Sequence, residues 1–580
     1  MPSYSEVDSI FADFFNNSGA PGLSYAVTHR GEVIHEGGLG VTYKNGVIPN
    51  SRSVFRIASM TKSFTAAAIL LLRDEGVLSL DAPISEYLPE MKAVPTPKGV
   101  ALTMRQLLSM SGGFPTDDAW ADRQEAMTPD ELSNLMSAGF DFISTPNTQF
   151  EYANLGYTLS GRVISQVTGT YFTDFVQERI LTPLGMTNTA FRASDINSEH
   201  LTRGHTKRDS DWIEEEFSNA GEFSPLGGMF SCVEDLATWI GGFVSAFDNS
   251  DGNAASHSNH PLAAASRREM QQGYRMVDTA IRFDDDELIR ADSLSYGFGL
   301  IHESNKRFGS TVSHSGGYPG YGTHMRWHLA SGYGIIALAN STYAPSNMIA
   351  RKAHDALLRQ IDAPSAVVRV WPATRSAQDT VSGLLRTWDD AVATTLFSNN
   401  VDMDEPRDLR KAAIVEAVSA IGGLGDLKRS HVHTPCSSEM NWREHGLNGY
   451  LDVTILLTAL HKVQELKVTA VTHPSSELAA RAQTLIEQHA DHGTWDSNLE
   501  FSDPNAKAIA LRQFAIATAL DAPLQMTDNV TGGNGTTKAQ WEISGAKHRW
   551  MLDVELDGEI LKKVTLTLKP LQASDYIRSE

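Results

Sequence analysis

Cysteine is almost absent: Cys232 and Cys436 are the only two in 580 residues. Two cysteines so far apart make neither a disulfide framework nor a metal-ligand cluster. Long apolar runs are missing too. The longest, residues 66–72, is far short of the roughly 20 residues that span a bilayer. Residues 1–8 have neither the basic start nor the apolar core of a signal peptide, so a cytoplasmic location is expected. Basic charge is the third shortage: 48 Lys and Arg against 70 Asp and Glu leave a net charge of -22. Such a chain repels phosphate backbones and anionic lipid, which argues against nucleic acid and membranes as partners. A small-molecule or peptide substrate remains.

What is present is ordinary for a globular protein, with 41% hydrophobic and 20% charged residues. The length exceeds what one core supports. Residues 23–28 and 33–35 read as strands joined by the turn His29-Arg30-Gly31-Glu32, and Asn45-Gly46 marks a second turn. A helix is expected from about Ser59 to the stop at Glu75-Gly76, and further helical patterning covers 157–167 and 172–180. Another helix follows Ser231, with Glu234 completing a capping box. Strands at 323–329 and 333–339 form a hairpin before a helix at 346–361, and the Asn-, Ser-, His- and Gly-rich residues 249–261 read as a surface loop.

Beyond about residue 374 the sequence echoes itself at an offset near one hundred residues. Glu405-Pro406-Arg407 and Asp503-Pro504-Asn505 each open an alanine-rich helix; Trp442-Arg443-Glu444-His445-Gly446 is matched by Trp541-Glu542-Ile543-Ser544-Gly545; the strand at 463–471 is matched by 561–569. These echoes predict a domain at 1–365 and two α+β units at 375–473 and 474–580, the second a possible repeat of the first.

Three elements carry chemistry. Ser59 and Lys62 stand three apart at the start of an apolar helix, so both project from one face. Burial there favours a neutral amine, able to take the hydroxyl proton and make Ser59 a nucleophile. Tyr152-Ala153-Asn154 offers a phenol to relay a proton and an amide to bind a carbonyl. His314-Ser315-Gly316-Gly317 ends a short strand at 310–313, and its glycines let backbone N–H groups approach an oxyanion. Each pattern has a decoy: Ser544 with Lys547 in a turn, Tyr43-Lys44-Asn45 in a hairpin, and His35-Glu36-Gly37. His431, His433 and Cys436 have strand rather than metal-site spacing; neither a metal nor another cofactor is expected.

In their order, and at separations of about 90 and about 160 residues, the three elements resemble the serine β-lactamase and penicillin-binding-protein superfamily. The nearest branch holds class C β-lactamases, DD-carboxypeptidases, D-aminopeptidases and related esterases. Residues 107–113 and 224–231, the latter followed by Glu234-Asp235-Leu236-Ala237, agree with that branch, and the resemblance covers roughly residues 6 to 362. It implies an α+β fold for that stretch, an antiparallel sheet flanked by helices with a helical subdomain inserted, ahead of the smaller α+β C-terminal region, possibly duplicated, read from the echoes above. It also implies roles: Ser59 is acylated, Lys62 is the base, Tyr152 relays the proton, and Asn154 holds the substrate amide. His314, Ser315, Gly316 and Gly317 line the substrate, the N–H groups of Ser59 and Gly317 forming the oxyanion hole. Many β-lactamases have lysine where this chain has His314; a histidine, mostly neutral at pH 7, favours peptidase, amidase or esterase activity over β-lactam hydrolysis. The same residues would serve a hydrolase or an acyltransferase or peptide cyclase, and a silent binding protein is the non-enzymatic alternative. Trp120, Trp212 and Tyr318 are candidate pocket walls; the substrate and the oligomeric state stay open.

Overall fold

The structure is a computed structural model that describes residues 3–17, 19–116, 120–247, 260–283, 289–496, 499–569 and 577–579. The chain separates into two compact units, Met1–Ala366 and Val367–Glu580. The first is built on an antiparallel sheet of eight strands: β1 (Gly22–His29), β2 (Glu32–Gly40), β3 (Arg275–Phe283), β4 (Ile289–Tyr296), β5 (Ile301–Asn305), β6 (Gly309–Tyr318), β7 (Tyr321–His328) and β8 (Tyr333–Ala339). Their spatial order is β2-β1-β8-β7-β6-β5-β4-β3. The N-terminal hairpin thus closes onto the last strand of the unit, Leu23 opposite Ala339 and His29 opposite Tyr333.

Helices α1 (Ser5–Asn16), α2 (Thr61–Asp74), α3 (Asn154–Thr168), α4 (Val233–Ser245) and α5 (Ser346–Gln360) supply the flanking layers. β1 is buried from Gly22 to Thr28 because both of its faces are covered. On one face Phe11 of α1 stacks on Tyr25 at 4.1 Å, with Val27, Ile335 and Leu357 in the same core. On the other, α2 and α4 bring Phe64, Trp239 and Phe243 against Trp327 and Ile336. Every residue of α2 from Thr61 to Leu72 is buried, as an all-round apolar helix requires. Its hydroxyls are satisfied inside: Ser63 Oγ accepts from Trp239 Nε1 at 3.0 Å, and Thr65 Oγ1 donates to Pro225 O at 2.7 Å. Gly76, at φ 75°, ends it in a left-handed conformation.

Two local expectations are corrected. No capping box forms at the start of α4: Cys232 is the cap residue, without a side-chain cap bond. Ser231 Oγ instead pairs with Thr189 Oγ1 at 2.8 Å, and Glu234 Oε1 accepts from Ser51 Oγ at 3.0 Å, so tertiary partners outcompete the local motif. The strand holding His314 does not end there but continues through the glycines to Tyr318, because Gly316 and Gly317 pair with Thr323 and Gly322. Cross-strand pairing overrides the low strand preference of glycine. The loop expected at 249–261 lies almost wholly outside the described residues.

The second unit repeats one order of elements. Helices α6 (Pro372–Arg386) and α7 (Arg407–Ala420) precede a four-stranded antiparallel meander, β9 (Leu424–His433), β10 (Glu439–Gly446), β11 (Gly449–Leu457) and β12 (Val463–Thr472). Helices α8 (Ser476–His492) and α9 (Pro504–Asp521) precede another, β13 (Gln525–Gly533), β14 (Lys538–Ser544), β15 (Arg549–Asp557) and β16 (Ile560–Leu568). Trp442 on β10 faces Val453, and Trp541 on β14 faces Leu552, each inside its own core. Among the described residues no helix is long and apolar enough to cross a membrane.

Candidate active site

The turn that enters α2 is built by short-range chemistry. Ala58 sits at φ 49°, left-handed backbone that an alanine adopts only under constraint. Thr61 Oγ1 supplies it, donating to Ala58 O at 2.6 Å and accepting from Met229 N at 3.2 Å. The strand before it is held by Ile57 N donating to Met229 O at 2.9 Å and by Thr323 Oγ1 of β7 donating to Ile57 O at 3.0 Å. Ser59 is thereby presented, half-buried, at the head of the helix. Lys62 is fully buried one turn on, its Nζ 3.0 Å from Ser59 Oγ and 2.7 Å from Leu226 O.

Two tyrosine rings wall the amine: Nζ lies 5.2 Å from the Tyr152 ring centroid and 5.7 Å from that of Tyr157. Tyr152 precedes the first turn of α3, and Tyr157 is locked in that helix by its hydroxyl donating to Leu108 O at 2.7 Å. Asn154 opens α3; it is buried, and its Oδ1 has no hydrogen-bond partner among the described residues. An unpaired buried carbonyl is costly in a folded protein, and here it is a ready acceptor for an N–H.

His314 completes the group, its ring 6.4 Å from that of Tyr152. Its Nδ1 lies 2.7 Å from Ser315 O and its Nε2 3.1 Å from the Tyr296 hydroxyl. A carbonyl only accepts, so Nδ1 carries the proton and Nε2 accepts from Tyr296. Burial above all brings the His314 pKa down to about 3, so the ring is neutral at physiological pH. Alternation along β6 sets the other expected residues. Gly316 shares the His314 face, and a Cβ there would stand 2.1 Å from Ile57 O and 2.3 Å from Thr323 Oγ1. Only glycine allows that approach of strand to turn. Ser315 and Gly317 belong to the opposite face, where Ser315 Oγ pairs with His324 Nδ1 at 2.9 Å.

Sequence reasoning missed a buried ion pair beside the turn. Arg56, two residues from the positive-φ Ala58, is paired with Glu125, and both are almost fully buried. The guanidinium lies 4.4 Å from the ring centroids of both Phe230 and Tyr318, whose hydroxyl reaches Glu125 Oε2 at 2.8 Å. No spacing in the sequence announces this pair, because its members lie in segments with no shared period. Tyr318 is consequently an inner packing residue rather than an open wall. Trp120 is exposed, edge-on to Phe223, and Trp212 sits on the separate hairpin His205–Arg208 and Asp211–Glu214. Among the described residues no three His, Cys, Asp or Glu are placed to hold a metal.

Protein flp of Staphylococcus aureus (strain NCTC 8325 / PS 47) is 27% identical over 350 residues, 59% of this chain and 64% of its own length. A penicillin-binding protein of Bacillus subtilis (strain 168) is 26% identical over 301 residues, 50% of this chain and 61% of its own length. The chain thus spans less than two thirds of either relative. The solved structure of an octameric penicillin-binding protein homologue from Pyrococcus abyssi aligns with 97% of this chain and 99% of its own, at a TM-score of 0.53 and 17% identity. It shares the fold over both units. A model of the Beta-lactamase family matches residues 7–360, and with the sheet-and-helix fold around Ser59 the chain belongs to that family.

Proposed function

We propose that the chain is a serine hydrolase that cleaves amide or ester bonds through an acyl-enzyme on Ser59. The observation that carries this reading is the buried Lys62 amine 3.0 Å from Ser59 Oγ. Taking an amine out of water disfavours its charged form; a neutral amine that donates to Leu226 O turns its lone pair toward Ser59. The Ser59 proton passes to Lys62 Nζ as Oγ bonds to the substrate carbonyl carbon. The resulting oxyanion is received by the backbone N–H groups of Ser59 and Gly317, a type of contact worth about 3–4 kcal/mol per donor. Collapse breaks the bond to the leaving group, which takes the proton from Lys62 through Tyr152. Water then adds to the acyl carbon, gives up its proton by the same relay, and releases the acid with Ser59 restored. Asn154 Oδ1, buried and unpaired among the described residues, accepts a substrate N–H.

The electrostatics favour substrates without a carboxylate at the reacting centre. His314 is neutral and Arg56 is neutralised by Glu125, so neither offers a free cation of the kind a β-lactam carboxylate would seek. Neutral esters and amides fit better. Intact-protein mass spectrometry after a fluorophosphonate and a p-nitrophenyl ester tests the proposal. Wild type gains one adduct that Ser59→Ala does not, and Lys62→Ala slows acylation by about 10²–10⁴-fold, the usual worth of a general base. Adduct formation in Ser59→Ala, or near wild-type rates in Lys62→Ala, would overturn the respective assignment.

A further inference from the structure

Among the described residues β6 loses its outer neighbour halfway along: its pairing with β5 stops at Ser313 opposite Ile301. The edge from His314 to Tyr318 is therefore available, beside the Ser59 turn, for a substrate to lie along. Something stands at its far end. Tyr343, in the segment after β8, lies against the face of Gly317, where a Cβ would come 2.6 Å from its ring. It holds φ 48°, a left-handed conformation rare for an aromatic residue, with its N–H donating to Tyr321 O at 3.1 Å. From there the Tyr343 hydroxyl donates to Asp122 Oδ2 at 2.8 Å. Asp122 begins a one-turn helix, Asp122–Gln124, and its carbonyl accepts the Tyr318 hydroxyl at 2.7 Å. Tyr318 shares the Gly316 face and Tyr343 lies on the Gly317 face, so Asp122 is clasped from both sides of the strand just beyond Gly317.

We propose that this Tyr343–Asp122 bridge is a specificity determinant, closing the edge of β6 past Gly317 and restricting Ser59 to donors with a short acyl group. The inference rests on the hydrolase reading. In that reading the leaving atom must face Lys62 and Tyr152 to receive its proton, and the carbonyl oxygen faces Gly317. The substituent directed along the strand toward Asp122 is then the acyl group. The strained backbone of Tyr343 is consistent with a ring kept in place for function.

The full-length enzyme is assayed on p-nitrophenyl esters from acetate to decanoate, and on acetate esters with leaving groups of growing size. Variants are Tyr343→Gly, which accepts the left-handed backbone without strain, and Tyr343→Phe, which keeps the ring and drops the tether. Wild type is expected to prefer acetate over decanoate by at least about 100-fold in kcat/KM, and Tyr343→Gly to reduce that preference at least about 10-fold, since excluded methylenes can each be worth tenfold or more. Tyr343→Phe should reduce it less. Wild type that takes decanoate as well as acetate overturns the bridge, as does a preference unchanged in Tyr343→Gly or a shift confined to the leaving-group series. Ser59→Ala separates the two failures: turnover that survives it overturns the hydrolase reading itself, whereas Ser59-dependent turnover with unchanged preference overturns the bridge alone.

Discussion

At the scale of single residues, the environment decides what each polar group can do, and His314 is the clearest case. It is buried, donates to its neighbour's carbonyl and accepts from Tyr296, so its neutral form is the one the fold stabilises. Its pKa falls from 6.5 to about 3. The unfolded chain therefore binds a proton below 6.5 that the folded chain refuses, and the stability tied to this residue is complete above pH 6.5 and lost as pH falls toward 3. Comparing wild type with His314→Gln by chemical denaturation isolates the effect. The stability difference should move against wild type by about 2 kcal/mol between pH 7 and pH 5. A difference that does not change with pH would mean the ring protonates freely. Residue identity made Ser59, Lys62 and His314 legible in the sequence, because helical spacing and strand glycines are local signals. Asp122 and Tyr343 gave none, since their meeting depends on how the chain returns from β8.

Elements meet at the site through backbone contacts that tolerate no extra atom. Gly316 is the tightest, with Ile57 O and Thr323 Oγ1 where its Cβ would be. Gly316→Ala must push β6 from the Ser59 turn, separating the N–H of Gly317 from that of Ser59. In the proposed mechanism that costs an oxyanion donor, which lowers kcat by about 10²–10³-fold, and overpacking destabilises by about 1–3 kcal/mol. Both are read from ester turnover and a thermal melt of the same sample, and a kcat near wild type would show that this contact does not set the spacing. Strands β1, β2, β7 and β8 and helices α2, α3 and α5 were readable from their apolar patterns, whereas α1 and strands β3, β4 and β5 were not read from the sequence. The cap of α4 and the end of β6 were misread because Thr189, Ser51 and the β7 strand, all distant in sequence, provide the competing bonds. Local signals fail where a distant partner satisfies the same group.

The whole chain poses a question of cooperativity inside its second unit. Each meander there has its own tryptophan-centred core, which suggests two independent folding units of the kind the sequence echo predicts. The packing argues for more dependence. Tyr450 and Val471, from the first meander, are buried in the core of the second, beside Leu478, Trp541 and Trp550. The Tyr450 hydroxyl donates to Val530 O, and Arg443 Nη1 donates to Asn529 Oδ1 at 2.9 Å. Cutting between the repeats would expose apolar surface on residues 474–580 and strand the Val530 carbonyl, while residues 367–580 keep both cores closed. Burying a large side chain contributes about 1.5–3 kcal/mol, a sizeable share of the roughly 5–15 kcal/mol that holds a domain folded. Residues 367–580 produced alone should unfold in one cooperative step, and residues 474–580 alone should melt well below it or show no transition. Circular dichroism melts of both fragments decide the matter: equal midpoints would mean that the repeats are independent and that Tyr450 and Val471 only fill space between them.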